Sequence, residues 1–251
     1  MSDFATPLPD TTPEVGLSEV ERLVDTFIAP TKTFMDIRRS SSWWVPFVLT
    51  CLLSWIFTFT VSKKVGWEAV AQQQIHASKS SADRFDQLPP ETQAKQIHMA
   101  GTISTYIGYA MPVMFFIIMV VMTVVLWMSV NFGLGAETKF WQVFAVLTYA
   151  GLPKIFITLL SIILLWAGVG VDNFDIKNPV GTNLGYYLTD SPKWLQSFGS
   201  YFDIFSLWML ALMIIGLAVI GKKTKGQTAI IVLGWWALIL LVSVGWAAVM
   251  G

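Results

Sequence analysis

Five stretches of this chain run on with almost no charge for the length a helix needs to cross a bilayer, and that leaves few folds open to it. They cover residues 43–61, about 103–130, a run inside 139–170, 204–220 and 229–250. A hydrocarbon core of about 30 Å takes about 20 helical residues. Composition points the same way: 13% of residues are charged, against about 25% in an average soluble domain. The expected fold is an all-α membrane protein with five transmembrane helices. Trp43 and Trp44 open the first span, Trp127 closes the second and Trp166 closes the third, where amphipathic rings prefer the membrane interface. Trp55 falls mid-span and needs a packing or hydrogen-bonding partner.

The flanking segments divide the rest. Residues 1–16 are rich in proline and acids and contain no Lys or Arg. They lack the basic start and apolar core of a signal peptide, so a disordered tail is expected there. In residues 17–42, Ser18 and Glu21 have the spacing of a capping box. Leu17, Val20, Leu23, Val24, Phe27 and Ile28 then recur at helical intervals. Pro30 suits the first turn of a second helix, which carries Phe34 and Ile37 and ends in Arg38 and Arg39. Two N-terminal amphipathic interfacial helices satisfy this pattern, either lying on the inner leaflet or packing on the inner face of the bundle. Residues 43–251 make up the five-span domain. Within it, residues 62–102 are polar and helix-friendly, with a turn at Leu88-Pro89-Pro90-Glu91. They predict a helical hairpin outside the membrane whose arms continue the first and second spans.

Lys154 is the charge that fits least easily. It follows Gly151-Leu152-Pro153 in a run from 139 to 170 that is too long for one ordinary span, about 48 Å of helix. Pro153 lacks an N–H and disfavours the helix behind it. The economical reading is two pieces: 139–150 as an interfacial or re-entrant helix and 153–170 as the third span. Lys154 then snorkels to the inner headgroups. A continuous kinked helix would hold it at mid-depth instead.

Lys and Arg near the span ends are almost evenly divided between the two sides. The absent signal peptide and the cluster Lys222, Lys223 and Lys225 favour a cytoplasmic N-terminus and an extracytoplasmic C-terminus. In a bacterium the site would be the inner (plasma) membrane. Arg38, Arg39, Lys154, Lys222, Lys223 and Lys225 are the candidate headgroup contacts, the last three complementing a helix C-terminus.

Other constellations read as structural. Ser200 and Asp203 have Ser-x-x-Asp spacing before an apolar run and suit a helix cap, with an ion or proton relay as the alternative. "GKKTKGQT", residues 221–228, imitates a phosphate loop but carries Gln227 where the lysine belongs, and it joins two apolar helices. His76 and His98 lie on opposite arms of the hairpin at similar heights, but two imidazoles fall short of the four ligands of structural zinc. Asp172, Asn173 and Asp175 lack the glycine and distal glutamate of a calcium loop, so Asx turns explain them better. No G-x-S-x-G occurs, and Cys51 stands alone in an apolar run. No catalytic, cofactor or metal set is expected, and zero net charge implies no nucleic-acid surface.

Specific stretches resemble a known family. "APTKTFMDIRRSSSWWVPF" looks like the start of a Yip1 domain: a proline, a phenylalanine and an isoleucine at helical spacing, then an aromatic-proline opening of the first span. "VFAVLTYAGLP" and "FDIFSLWMLALMIIGLAVIGKKTKGQTAI" are similar to the family's third and fourth segments and the loop after them. The hairpin and "NPVGTNLGYYL" are more like bacterial members. The resemblance implies five spans, a cytosolic N-terminus and no enzymatic activity. Eukaryotic relatives engage small GTPases and one another. This chain lacks their Asp-Leu-Tyr-Gly-Pro element, which puts GTPase binding in doubt. The functional expectation is a non-catalytic scaffold that organises membrane lipids, other membrane proteins or further copies of itself. The alternatives are a small permease or channel, and an accessory subunit of a larger membrane complex.

Overall fold

The computed structural model describes residues 16–76, 79–189 and 191–250, which form eleven α-helices and no strand. The tail expected over 1–16 lies, but for Gly16, outside the described residues. Among those described, five helical stretches are long and apolar enough to cross a membrane: Trp44–Lys64, Pro90–Gly133, Phe140–Trp166, Ile204–Gly221 and Lys225–Val249.

Helices α1 (Glu19–Ile28) and α2 (Pro30–Arg39) form an antiparallel hairpin turning at Ala29. Ser18 caps α1 as its spacing predicts. The Glu21 N–H donates to Ser18 Oγ at 3.2 Å, and the Ser18 N–H donates to Glu21 Oε2 at 2.7 Å. Pro30 is the first residue of α2. Arg22 Nε donates to Asp36 Oδ2 at 2.6 Å, and Lys32 pairs with Asp25 at 2.8 Å, locking the two helices together. Of the two placements left open, packing against the bundle is the one seen. Phe34 and Ile37 are fully buried against α7 and α10, and Phe27 at the hairpin tip lies 5.6 Å from both the Phe156 and Trp208 rings. The polarity of α1 is inverted for a helix in water. Arg22, Asp25 and Thr26 point inward, while Val20, Val24 and Ile28 form an exposed stripe.

Helix α3 (Trp44–Lys64) packs along α6 (Pro90–Met128), which runs on through one π turn, Ser129–Gly133. These 44 residues span about 66 Å. The predicted hairpin forms, and its second arm passes into the second span without a break. The first arm is interrupted at Gly66, where φ is +85°, then continues as α4 (Trp67–His76) along α6 and α5 (Lys79–Asp86). Gly101 permits that contact, because a Cβ there would lie 3.0 Å from the Glu68 backbone nitrogen.

Inside α6, Pro112 has no N–H to offer the carbonyl four residues back. In hydrocarbon that carbonyl has no water to fall back on. Helix α3 supplies the donors: Thr58 Oγ1 reaches the Gly108 carbonyl at 3.2 Å, and Trp55 Nε1 reaches the Tyr109 carbonyl at 3.0 Å. Trp55 thereby finds the partner its mid-span position demands. Gly108 makes the approach close, since a Cβ would meet Thr58 Cγ2 at 2.8 Å.

The third apolar stretch corrects the two-piece reading. Helix α7 (Phe140–Ala150) passes through a single 3-10 turn, Leu152–Lys154, into α8 (Ile155–Trp166). The proline tightens the helix without ending it, giving one 27-residue stretch of about 40 Å. An interfacial helix keeps one polar face. Instead α7 is buried over eight consecutive residues, Val143–Ala150, and forms the centre of the core. Beyond α8, a loop rich in Gly, Asn and Asp leads to α9 (Lys193–Ser200), α10 (Ile204–Gly221) and α11 (Lys225–Met250).

Thr58→Val should cost about 1 kcal/mol of stability by leaving the Gly108 carbonyl unpaired. Gly108→Leu should cost more through the clash, both read from reversible unfolding in mixed micelles. Asp36 gives a pH test. Burial alone would raise its carboxyl, yet hydrogen bonds from Arg39 and Arg22 outweigh that and hold it below its ordinary value. A depressed carboxyl stabilises the fold above its unfolded value and loses that contribution as pH falls. Hydrogen-exchange protection of α1 should therefore hold from neutral pH down to about 4 and fall away below it. Asp36→Ala, which strands the buried Arg22 guanidinium, should weaken hairpin docking by about 3 kcal/mol at neutral pH.

Candidate functional site

The chemistry-bearing residues collect at one end of the bundle, at a corner at the other end, and at one point between them. The first end holds Arg38, Arg39, Lys139, Lys222, Lys223 and Lys225. Two contacts bring these together. Gln142 Nε2 donates to the Arg38 carbonyl at 3.2 Å, and Gly221 lies against Ala136, Val130 and Thr138. Arg39 is tied to Asp36 at 2.9 Å, while Arg38, Lys139, Lys222 and Lys225 are exposed. Lys139 joins this group by folding, since it begins the helix whose Gln142 touches α2.

The loop that imitates a phosphate loop is built from two helix caps. Lys222 ends α10 in the left-handed region, with φ +52° and ψ +40°, and the Lys223 N–H donates to the Ala218 carbonyl at 3.0 Å. Thr224 then begins a capping box. The Gln227 N–H donates to Thr224 Oγ1 at 3.2 Å, and the Thr224 N–H donates to Gln227 Oε1 at 3.1 Å. Gln227 thus sits where a phosphate loop needs lysine because a capping box needs a carbonyl oxygen there. Lys222 and Lys223 do stand at a helix C-terminus. Lys225 instead opens the next helix.

At the opposite end, Asp203 caps α10. Its Oδ1 accepts from the Ser206 N–H at 2.8 Å and its Oδ2 from Thr182 Oγ1 at 2.5 Å. The Ile204 N–H also donates to the Thr182 carbonyl at 3.2 Å. Asp203 therefore ties the "NPVGTNLGYYL" segment to the bundle. Ser200 does not share in the cap: it ends α9 and donates to Asn178 Oδ1 at 3.0 Å. Gly185 and Gly199 touch, and a Cβ on Gly199 would lie 2.8 Å from the Gly185 nitrogen. Asp175 forms the expected Asx turn, accepting from the Lys177 N–H at 2.9 Å. His98 Nδ1 pairs with Glu68 at 2.7 Å and His76 Nε2 with Asp86 at 3.5 Å, so the two imidazoles face different carboxylates. Among the described residues no cluster of three His, Cys, Asp or Glu could hold a metal.

Lys154 stands apart from the basic end and nearer the Asp203 corner: Phe156 packs on Phe205 with ring centroids 5.6 Å apart, and the Asp203 charge reaches Lys154. The lysine is about 21 Å of helix from Phe140 and about 18 Å from Trp166, at the close of the 3-10 turn. Its side chain keeps open surface and lines a cavity of about 240 Å³ between α3, α6, α7, α8 and α10. Leu53, Phe115, Met119, Met122, Leu147 and Met213 provide most of the lining, and Lys154 is its one charged residue. The Lys154 ammonium makes no hydrogen bond or ion pair with any described residue. Thr158, one turn further on, also lines the cavity, and its hydroxyl makes no hydrogen bond with any described residue. The other two threonines there donate to carbonyls: Thr50 to Pro46 at 2.8 Å and Thr148 to Phe144 at 2.7 Å. Sequence reading passed over Thr158, although its position four residues after Lys154 puts both on one helix face.

A family model of the Yip1 domain matches residues 24–247. The chain belongs to the Yip1 family. The match takes in all five long apolar helices but for the last few residues, and this Yip1 protein is accordingly a multi-pass membrane protein. No curated protein and no solved structure matches the chain.

A non-glycine residue in the left-handed region is strained by about 1 kcal/mol. Lys222→Gly should relieve that strain and raise the unfolding midpoint while leaving the basic end otherwise intact, as thermal unfolding in detergent would show.

Proposed function

We propose that this Yip1 protein is a non-catalytic scaffold that organises lipids and partner membrane proteins at one leaflet, with its basic end on the cytoplasmic side. The observation that carries this reading is the inverted hairpin. A helix that turns Arg22, Asp25 and Thr26 inward and leaves Val20, Val24 and Ile28 outward is built for surroundings more apolar than water. Acyl chains of the inner leaflet supply such surroundings beside the exposed stripe. Arg38, Lys139, Lys222, Lys223 and Lys225, gathered at the same end, then meet the headgroups, where each basic residue contributes about 1 kcal/mol toward an anionic surface. The hairpin of α4 and α5, with the adjoining part of α6, stands on the other side as a surface for a neighbouring protein. A conduit is less well supported, because the cavity at Lys154 is lined mainly by apolar side chains.

Two measurements test the reading. Impermeant thiol reagents should reach a cysteine placed at the N-terminus only from the cytoplasmic side, and one placed at the C-terminus only from the other. After solubilisation from native membranes, mass spectrometry should find anionic phospholipid and partner proteins, or further copies of the chain, bound to wild type. Lys222→Ala, Lys223→Ala and Lys225→Ala combined should release most of the lipid. A lipid-free, strictly monomeric wild type, or both termini on one side, would reject the proposal.

A further inference from the structure

A charge held about 20 Å of helix from either end of its span needs a counter-charge. Among the described residues the carboxylate whose charge reaches Lys154 is that of Asp203, but it makes no ion pair with the ammonium and both its oxygens already accept, from Thr182 and the Ser206 N–H. What surrounds Lys154 is a cavity of about 240 Å³ lined chiefly by Phe115, Met119, Met122, Leu147 and Met213. That volume lies below the about 300–1,000 Å³ typical of pockets for drug-sized ligands and far above the about 30 Å³ share of one water. It suits something slender. Several methionines in one cavity give a soft wall that adapts to a flexible chain.

The polar end of the cavity is as specific as its wall. Thr50 and Thr148 use their hydroxyl protons on carbonyls of their own helices, so they present only lone pairs. Lys154 and Thr158 are the lining donors that make no hydrogen bond with a described residue. They stand four residues apart on one face, so an ammonium and a hydroxyl can converge on one acceptor group. Two donors, one of them cationic, match the two oxygens of a carboxylate.

We propose that this cavity binds a fatty acid, whose carboxylate pairs with Lys154 and Thr158 and whose chain lies among the methionines. A diacyl phospholipid is the poorer occupant. Its headgroup would have to sink to the middle of the span, and two chains exceed the space. The proposal does not depend on the scaffold reading, because it concerns the cavity at Lys154 and not the basic end, and it survives if no partner or headgroup is retained.

The test uses the full chain in nanodiscs of phosphatidylcholine, with a diazirine-bearing C12 fatty acid as probe. On illumination, the label should map to peptides containing Met119, Met122, Met209 or Met213. Laurate should compete and dodecanol should not. Lys154→Met should weaken labelling about tenfold or more, and Thr158→Val several-fold, as expected for a charge-assisted and a neutral hydrogen bond. Lys154→Arg should retain most of it. Met213→Trp fills the cavity while keeping the lysine and should abolish labelling, so the proposal stays testable if Lys154→Met does not fold. Equal competition by dodecanol and laurate overturns it. So does labelling of Met213→Trp at the wild-type level, or displacement of the probe by phosphatidylglycerol at the same concentration as laurate.

Discussion

A backbone carbonyl in hydrocarbon has no water to turn to, and the structure is organised around that fact. At several points where a span departs from a regular helix, a named group closes the gap. Pro112 leaves the Gly108 carbonyl of α6 without its helical donor, and Thr58 of α3 supplies one, with Trp55 donating to the neighbouring Tyr109 carbonyl. The start of α10 is closed by Asp203 and its end by the left-handed Lys222. The start of α11 is closed by Thr224 and Gln227. These repairs also fix which helices are neighbours, because a donor on one helix must lie opposite the gap in another.

Much of this was legible from local residue chemistry. The capping box at Ser18 and Glu21, the proline that begins α2 and the paired prolines before α6 act within a few residues of themselves, and each forms where its spacing says. The apolar runs were legible for the same reason, since a span must carry its own hydrophobicity. Four features were not. Pro153 has the chemistry of a helix breaker, yet the surrounding core holds α7 and α8 together through a 3-10 turn. Ser200 has the spacing of a cap but belongs to the preceding helix. Arg22 reads as part of a polar surface and turns out to be 2% exposed, because its partner Asp36 lies on the next helix. Lys222 adopts a conformation that glycine would ordinarily supply. For Arg22 and Pro153 the deciding contacts come from elsewhere in the fold, the Asp36 carboxylate and the surrounding core.

The basic residues divide along the same line. Arg38, Arg39, Lys222 and Lys223 sit at helix ends, and the fold brings them to one end of the bundle. Lys154 carries the same charge but is placed by the continuity of α7 and α8, which no local pattern announces. Thr158 acquires meaning only once Lys154 is known to face a cavity.

Helix α6 is the longest helix among the described residues. With its π turn it runs about 66 Å, roughly twice the hydrocarbon thickness it has to cross, and the α4 contact at Gly101 and Glu68 braces its free half. Such a strut works as a ruler. Whatever meets the tip near Pro89 is kept at a set stand-off from the bilayer, and a tilt of the strut inside the lipid is transmitted to the tip as a lateral swing.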